Sequence, residues 1–187
     1  MRLHNNSKTM VSKQKIPLPI SKLEEILITT HKKEMISYVL GHPSSYEELF
    51  QLAVSDRQPY AWRAAWLLWD CLTPNAPMIH DQLKQILTCI RYKPFNQQRE
   101  LIKIISMIEL PQDAEGEVFD VCASLWQKIE APPALRYNAM MLMTKIVKKY
   151  PDLYSELEEM TDGYHVDTLT KGASHSVKKM LKNFQKQ

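Results

Sequence analysis

Apolar residues recur along this chain at the spacing i, i+3, i+4 and i+7, which places them on one face of an α-helix. Three segments with this pattern start at Tyr46, Leu83 and Val118, with a weaker fourth at Leu153, and a second series of four that alternates with them starts at Ala65, Leu101, Ala139 and Val177. The first series repeats at 37, 35 and 35 residues, and the second at 36, 38 and 38. Two interleaved series with a shared period predict helix–turn–helix units that bury their apolar faces only against neighbouring units.

The predicted fold is therefore all-α, a short right-handed α-solenoid of about four helical hairpins and about nine helices. Residues 22–43 read as one long or two short helices that cap the N-terminal end of the array. The composition agrees, because 4 glycines stand against 10 methionines in runs rich in helix-forming residues. Prolines fall between the predicted helices or in their first turns, where a missing N–H costs little.

Basic residues concentrate at the two ends of the chain. Residues 1–22 and residues 168–187 each carry five basic residues and no acidic one, whereas the middle has 14 basic and 21 acidic residues, a net charge of −7. We expect residues 1–20 to form a flexible basic arm and residues 21–187 to form a single domain. An acidic body differs from the evenly basic groove of a protein that binds duplex DNA.

No motif in the chain indicates a cofactor, a metal or a nucleotide. The six histidines form no HxxxH or HExxH pattern, and the GxGxxG, GxxxxGK and GxSxG motifs are all missing. Three widely spaced cysteines, Cys71, Cys89 and Cys122, suggest buried thiols in a reducing compartment. Without an apolar run long enough for a secretory signal or a membrane span, the chain is expected to be cytoplasmic.

The stretch PYAWRAAWLLWDC, residues 59–71, holds three tryptophans at i, i+4 and i+7. Trp62, Trp66 and Trp69 would form a stripe on a helix whose adjoining face is filled by alanine and leucine. A helix that is apolar nearly all round belongs in the interior of a packed array. We interpret the stretch as core, with ligand binding by the tryptophans as the alternative.

The residues also carry a family resemblance. An arginine recurs near the start of each second helix, at Arg63, Arg99 and Arg136, and RAAWLL resembles the inner helix of a HEAT repeat. More closely, the chain resembles a group of small HEAT-like proteins of Bacteroidetes, through HKKE at 31–34, RAAW at 63–66, VFDVC at 118–122 and VKKYP at 147–151. The resemblance covers residues 22–187 and implies a HEAT-like (ARM/HEAT) α-solenoid, with no particular activity attached.

The leading functional hypothesis is a non-catalytic scaffold for protein–protein interaction, acting as a monomer. Stacked helical arrays present extended surfaces that suit proteins or peptides better than small substrates. Neither specific nucleic-acid binding nor membrane binding is expected. We predict the partner surface on the concave, second-helix side and near the long 161–173 connection, with contacts from Arg99, Lys103, Arg136, Lys145, Tyr164 and His165.

The alternative hypothesis is DNA binding or base excision. HEAT-like alkylpurine DNA glycosylases hold a damaged nucleotide with tryptophan and aspartate on a concave surface, and Trp66 and Asp70, four residues apart, are similar to that pair. Such enzymes line the concavity with many arginines and lysines, because phosphate neutralisation dominates their affinity for duplex DNA. The net charge of −7 in the middle of this chain opposes that role.

Overall fold

A computed structural model describes residues 17–72, 77–161 and 163–184 of the protein. Within these ranges it contains eleven α-helices, two short 3₁₀ turns and no strand. The helices are α1 (Lys22–Thr29), α2 (Lys32–Gly41), α3 (Ser45–Val54), α4 (Tyr60–Cys71), α5 (Pro77–Ile90), α6 (Phe95–Ser106), α7 (Glu115–Gln127), α8 (Pro133–Val147), α9 (Tyr154–Glu159), α10 (Gly163–Asp167) and α11 (Lys171–Phe184). The 3₁₀ turns, Gln112–Ala114 and Pro151–Leu153, lead into α7 and α9.

The helices pack in consecutive pairs, as the interleaved periods predict. Helices α3 and α4, α5 and α6, and α7 and α8 form three hairpins, and α11 packs on α8 with its Phe184 ring near the Tyr154 ring of α9. The second helices contact one another in the order α4, α6, α8 and α11, while the first helices α3, α5 and α7 pack in a parallel layer. The prediction of an all-α helical solenoid is confirmed, with two more helices than expected because the cap divides into α1 and α2 and α10 lies within the last connection.

Proline residues mark where the second helices begin. Pro59, Pro94 and Pro132 each precede the first residue of α4, α6 and α8, and Pro133 is itself the first residue of α8. Proline is tolerated there because the N–H groups of a first helical turn have no partner inside the helix. Prolines thus mark the start of α4, α6 and α8 without interrupting them, whereas α11 begins at Lys171 after Thr170.

One continuous apolar core runs from Leu23 of α1 to Val177 of α11. Its largest buried side chains include Trp126, Tyr60 and Phe50. The short second helix α4 buries alanines and leucines against α3 and α6, so the backbones approach closely. Two of the three cysteines, Cys71 and Cys122, are buried, as expected.

Helices α1 and α2 cover the N-terminal end of the array by packing on α4. The nearly buried carboxylate of Glu24 lies 2.7 Å from Nη2 of Arg57 and also accepts a hydrogen bond from the backbone N–H of Ile20. The Tyr60 hydroxyl donates to the carbonyl of Pro17. Most of the predicted basic arm, residues 1–16, lies outside the described residues, and its last four residues contact the domain.

None of the helices in the described ranges is long and apolar enough to cross a membrane. The longest, α8, has 15 residues. A span of the hydrocarbon core needs roughly 20 predominantly apolar residues.

Trp126 lies at the centre of the core, whereas Trp66 lies at its edge. The Trp126 ring is fully buried and its Nε1–H donates to the carbonyl of Met160 at 2.7 Å, whereas Trp66 is half-buried. We expect Trp126→Ala to lower the free energy of unfolding by about 3–5 kcal/mol, and Trp66→Ala by about 1–2 kcal/mol, because less area is lost from burial. Urea denaturation of both variants measures the difference. Equal losses would place Trp66 at the centre of the core.

Candidate functional site

The second helices carry a band of accessible side chains that we call the second-helix surface. Contacts between neighbouring helices make the band continuous. Lys103 of α6 reaches the Trp69 ring of α4, Lys145 of α8 reaches the backbone of Ser106 at the end of α6, and α8 and α11 share a groove. The members of the surface are Trp66, Trp69, Arg99, Lys103, Ser106, Met141, Lys145, Lys148 and Lys179.

The tryptophan stripe lies at the edge of the core and not at its centre. Trp62, Trp66 and Trp69 are half-buried, while the alanines and leucines between them are completely buried. Lysine ammonium groups cover two of the rings: Lys32 Nζ lies 4.8 Å from the Trp66 centroid, and Lys103 Nζ lies 4.0 Å from the Trp69 centroid. Trp66 and Trp69 pack against the apolar core, but their half-burial corrects the interpretation that the stripe lies in the interior, and the cation–π contacts cover the exposed side of two rings.

Asp70 is held by the same lysine that covers Trp66. Its Oδ2 lies 2.8 Å from Lys32 Nζ, and only 15% of the Asp70 side chain is exposed. Trp66 and Asp70 are adjacent, as their four-residue spacing requires, but one ammonium group contacts both. A flipped nucleotide would have to displace Lys32 from the carboxylate and the ring at the same time.

Arg99 and Lys103 both contact one buried carboxylate. Glu100 is 1% exposed, and its two oxygens lie 2.6 Å from Arg99 Nη2 and 2.6 Å from Lys103 Nζ. A buried carboxylate requires such partners, because an unpaired charge away from water is costly. Arg99 and Lys103, both predicted contact residues, are partly accessible. The negative charge of Glu100 offsets one of their two positive charges.

Arg136 is completely buried, and this corrects the prediction that it contacts a partner. Its Nε donates to the carbonyl of Trp126 at 2.8 Å, its Nη1 to Thr168 Oγ1 at 2.6 Å and its Nη2 to the carbonyl of His165 at 2.7 Å. The guanidinium carbon also lies 4.8 Å from the Trp126 ring centroid. Arg136 therefore fastens the end of α7 and the α10 segment to the start of α8.

The connection at 161–173 is more ordered than a loop. It contains the one-turn helix α10, Gly163–Asp167, and α11 begins at Lys171. Tyr164 is exposed, and its ring meets the His165 ring edge-on with centroids 5.6 Å apart. Neither residue lines the groove between α8 and α11. The structure thus places Tyr164 and His165 beside the second-helix surface and not within it.

Lys145 lies on the second-helix surface, as predicted, and has a structural contact as well. Its Nζ lies 2.8 Å from the carbonyl of Ile108 and 3.5 Å from that of Ser106. A cation near the C-terminal end of a helix satisfies carbonyls that have no partner inside the helix. Lys145 therefore joins α8 to the end of α6 while its side chain remains exposed.

One part of the surface is a groove of about 1080 Å³ between α8 and α11, which Ser106 of α6 also lines. Helix α8 lines it with residues at i, i+3, i+4 and i+7, and so does α11. These residues are Met141, Thr144, Lys145 and Lys148 on α8, and Ser176, Lys179, Met180 and Asn183 on α11. Leu142 and Phe184 add apolar atoms.

Sequence reasoning missed Met141, Lys148 and Lys179, although the repeat contained a signal for two of them. Lys103, Met141 and Lys179 are spaced by 38 residues and each stands two positions after the start of its apolar quartet. Residues at one register of a repeat occupy equivalent places on successive units. Extending the register of Lys103 would have identified Met141 and Lys179, whereas Lys148 follows its quartet and carries no such mark.

Two observations on the described residues concern metal binding and thiol reactivity. No group of three or more histidine, cysteine or acidic side chains among them could hold a metal ion. Burial, with a smaller contribution from Asp70, raises the pKa of the Cys71 thiol to about 11. Because the thiolate is the nucleophile, Cys71 is unreactive near neutral pH.

Comparison with known proteins identifies the repeat. A family model described as a HEAT repeat domain matches residues 20–184. No curated protein and no solved structure gives a match.

Removal of the buried guanidinium tests the role of Arg136. We expect Arg136→Met to lower the free energy of unfolding by about 3 kcal/mol, because hydrogen bonds from a charged donor contribute about 1.5–3 kcal/mol each and the chain partly relaxes. Amide hydrogen exchange should also accelerate across residues 163–169. The matched control is Arg91→Met, at an exposed position in the α5–α6 turn. Equal stability of the two variants would contradict the assignment.

Proposed function

Because this chain belongs to the HEAT repeat domain family, we propose that it is a non-catalytic scaffold that binds a partner protein through the second-helix surface. HEAT repeats generally mediate protein interactions, and stacked helices offer long continuous surfaces for them. The observation that carries the proposal is the groove between α8 and α11, which combines apolar side chains with a rim of lysines.

The composition of the surface supports a protein partner. Met141 is 44% exposed beside the half-buried Tyr137 and Met180, so a partner would remove apolar area from water. Methionine is flexible and polarizable and fits varied partner side chains. An apolar centre surrounded by charged residues is the usual anatomy of a protein interface.

The proposed contact residues follow from accessibility. Arg99, Lys103 and Lys145 are kept from the sequence prediction, and Lys148 and Lys179 are added. Tyr164 and His165 would contact only a partner that extends past α8 onto α10. Arg136 is left out, because it has no exposed surface.

Further inferences accompany this proposal. We infer a monomer without a cofactor, located in the cytoplasm and without affinity for membranes or specific nucleic acid. The narrower similarity to small HEAT-like proteins of Bacteroidetes also stays a prediction. These inferences rest on the sequence.

The glycosylase alternative has no observation in its favour. Its two candidate residues, Trp66 and Asp70, are both engaged by Lys32. A DNA-binding surface would use arginine, the side chain best suited to bidentate phosphate contacts. On α6, however, Arg99 already pairs with Glu100.

Site-specific photo-crosslinking in the native cell tests the scaffold proposal. A benzoyl-phenylalanine at Met141 should crosslink to a discrete partner protein, because this position is exposed on the groove wall. The control places the same residue at Tyr92, which is 84% exposed in the α5–α6 turn. Mass spectrometry of the crosslinked species identifies the partner. Identical products at both positions, or none at Met141, would contradict the proposal.

A base-release assay on an alkylated duplex tests the alternative. We expect no excision by the wild-type protein and no difference on Asp70→Asn, because the carboxylate is held by Lys32. Weak retention in gel shifts should disappear between about 50 and 200 mM salt, as phosphate contacts do. Excision that Asp70→Asn abolishes would establish the enzyme in place of the scaffold.

A further inference from the structure

The groove between α8 and α11 has a defined shape and charge. We propose that it seats an acidic amphipathic helix of the partner protein, with apolar side chains on the groove floor and carboxylates against the lysine rim. The inference rests on the proposed function and adds the chemistry of the partner segment.

The shape of the groove matches a helix. Its two walls are parallel stripes at i, i+3, i+4 and i+7, one on α8 and one on α11. Helix α11 has 14 residues, which at 1.5 Å per residue extends about 21 Å. A third helix of about 12–14 residues would fit along this length, as amphipathic helices do in hydrophobic grooves.

The floor of the groove is apolar and incompletely covered. Met180 and Phe184 of α11 line the groove and remain partly exposed. Helix α11 is the last described helix, so no further repeat lies over this face within the described residues. An incoming helix would bury apolar surface that a following repeat would otherwise cover.

Charge decides what kind of helix the groove accepts. Lys145, Lys148 and Lys179 line it, and none of its lining residues is acidic. Lys148 and Lys179 are exposed and have no ion-pair partner among the described residues. Unpaired cations beside an apolar floor favour a partner that presents glutamate or aspartate at the flanks of an apolar stripe.

A nucleic acid fits this groove less well than an acidic helix. Duplex DNA carries one charge per about 1.7 Å and requires a broad array of cations. Elsewhere on the second-helix surface the cations are engaged, because Arg99 and Lys103 contact Glu100. The apolar floor formed by Leu142, Met180 and Phe184 has no role against a phosphate backbone.

Peptide selection on the intact protein tests the proposal. A phage-displayed library of 16-residue peptides is selected against the full chain, and the enriched peptides are synthesised with a fluorescein label. We expect apolar residues at helical spacing with acidic residues at their flanks. Fluorescence anisotropy then measures the dissociation constant at low and high salt.

Charge reversal locates the binding site. Lys148→Glu/Lys179→Glu should weaken binding on the order of tenfold or more, since each peptide carboxylate then faces a like charge. The matched control, Lys84→Glu/Lys182→Glu, makes the same change in net charge at exposed positions outside the groove. Circular dichroism confirms that both variants fold. A peptide with lysine in place of its acidic residues should bind the groove variant and not the wild type.

The outcomes separate this inference from the proposed function. Loss of binding in the groove variant alone, with recovery by the charge-swapped peptide, supports the acidic-helix assignment. Selected peptides that bind both variants equally, or that carry no acidic bias, overturn it and leave the scaffold function standing. If no peptide is selected while labelled single-stranded DNA or anionic vesicles of phosphatidylserine bind through Lys148 and Lys179, both proposals fail.

Discussion

Contact between successive second helices is the constraint on which the rest of this structure depends. A hairpin of two helices of 10 to 15 residues has an apolar face on both sides, and only neighbouring hairpins can cover it. Small residues make close stacking possible at α4, where Ala61, Ala64 and Ala65 are fully buried. The same constraint creates two end faces, which the chain must cover by other means.

The two ends of the array are covered differently. At the N-terminal end, α1 and α2 pack on α4, and the Arg57–Glu24 pair joins this cap to the first hairpin. At the other end, α11 leaves part of its apolar face accessible, and the groove lies there. A surface that is incompletely covered at one end of a solenoid is where the chain can gain most from a partner.

The repeat was readable from the sequence because periodicity depends on local physics, whereas the roles of single polar residues depend on tertiary partners. Arg63 and Arg99 stand two positions before their apolar quartets and Arg136 stands three before, and the sequence prediction placed Arg99 and Arg136, but not Arg63, among the partner contacts. In the structure they differ: Arg63 donates to the carbonyl of Leu27 in α1, Arg99 pairs with its neighbour Glu100, and Arg136 is buried against α7 and α10. The spacing sets Arg136 one position apart from the other two, but it does not identify the tertiary partner of any of them. The α10 turn was missed for a similar reason, because its five residues are too few to show a helical period.

The distinction between engaged and unengaged cations also explains why one half of the second-helix surface is the better candidate for binding. Near α4 and α6, Lys32 and Lys103 each contact a carboxylate and a tryptophan ring, so a ligand there would have to break contacts that stabilise the fold. Near α8 and α11, Lys148 and Lys179 have no ion-pair partner among the described residues, and the neighbouring Met141 is exposed. A partner that binds near α8 and α11 can therefore form new contacts with Lys148, Lys179 and Met141 without breaking an ion pair within the described ranges. The net free energy of binding is more favourable there than near α4 and α6, where existing contacts would have to be broken first.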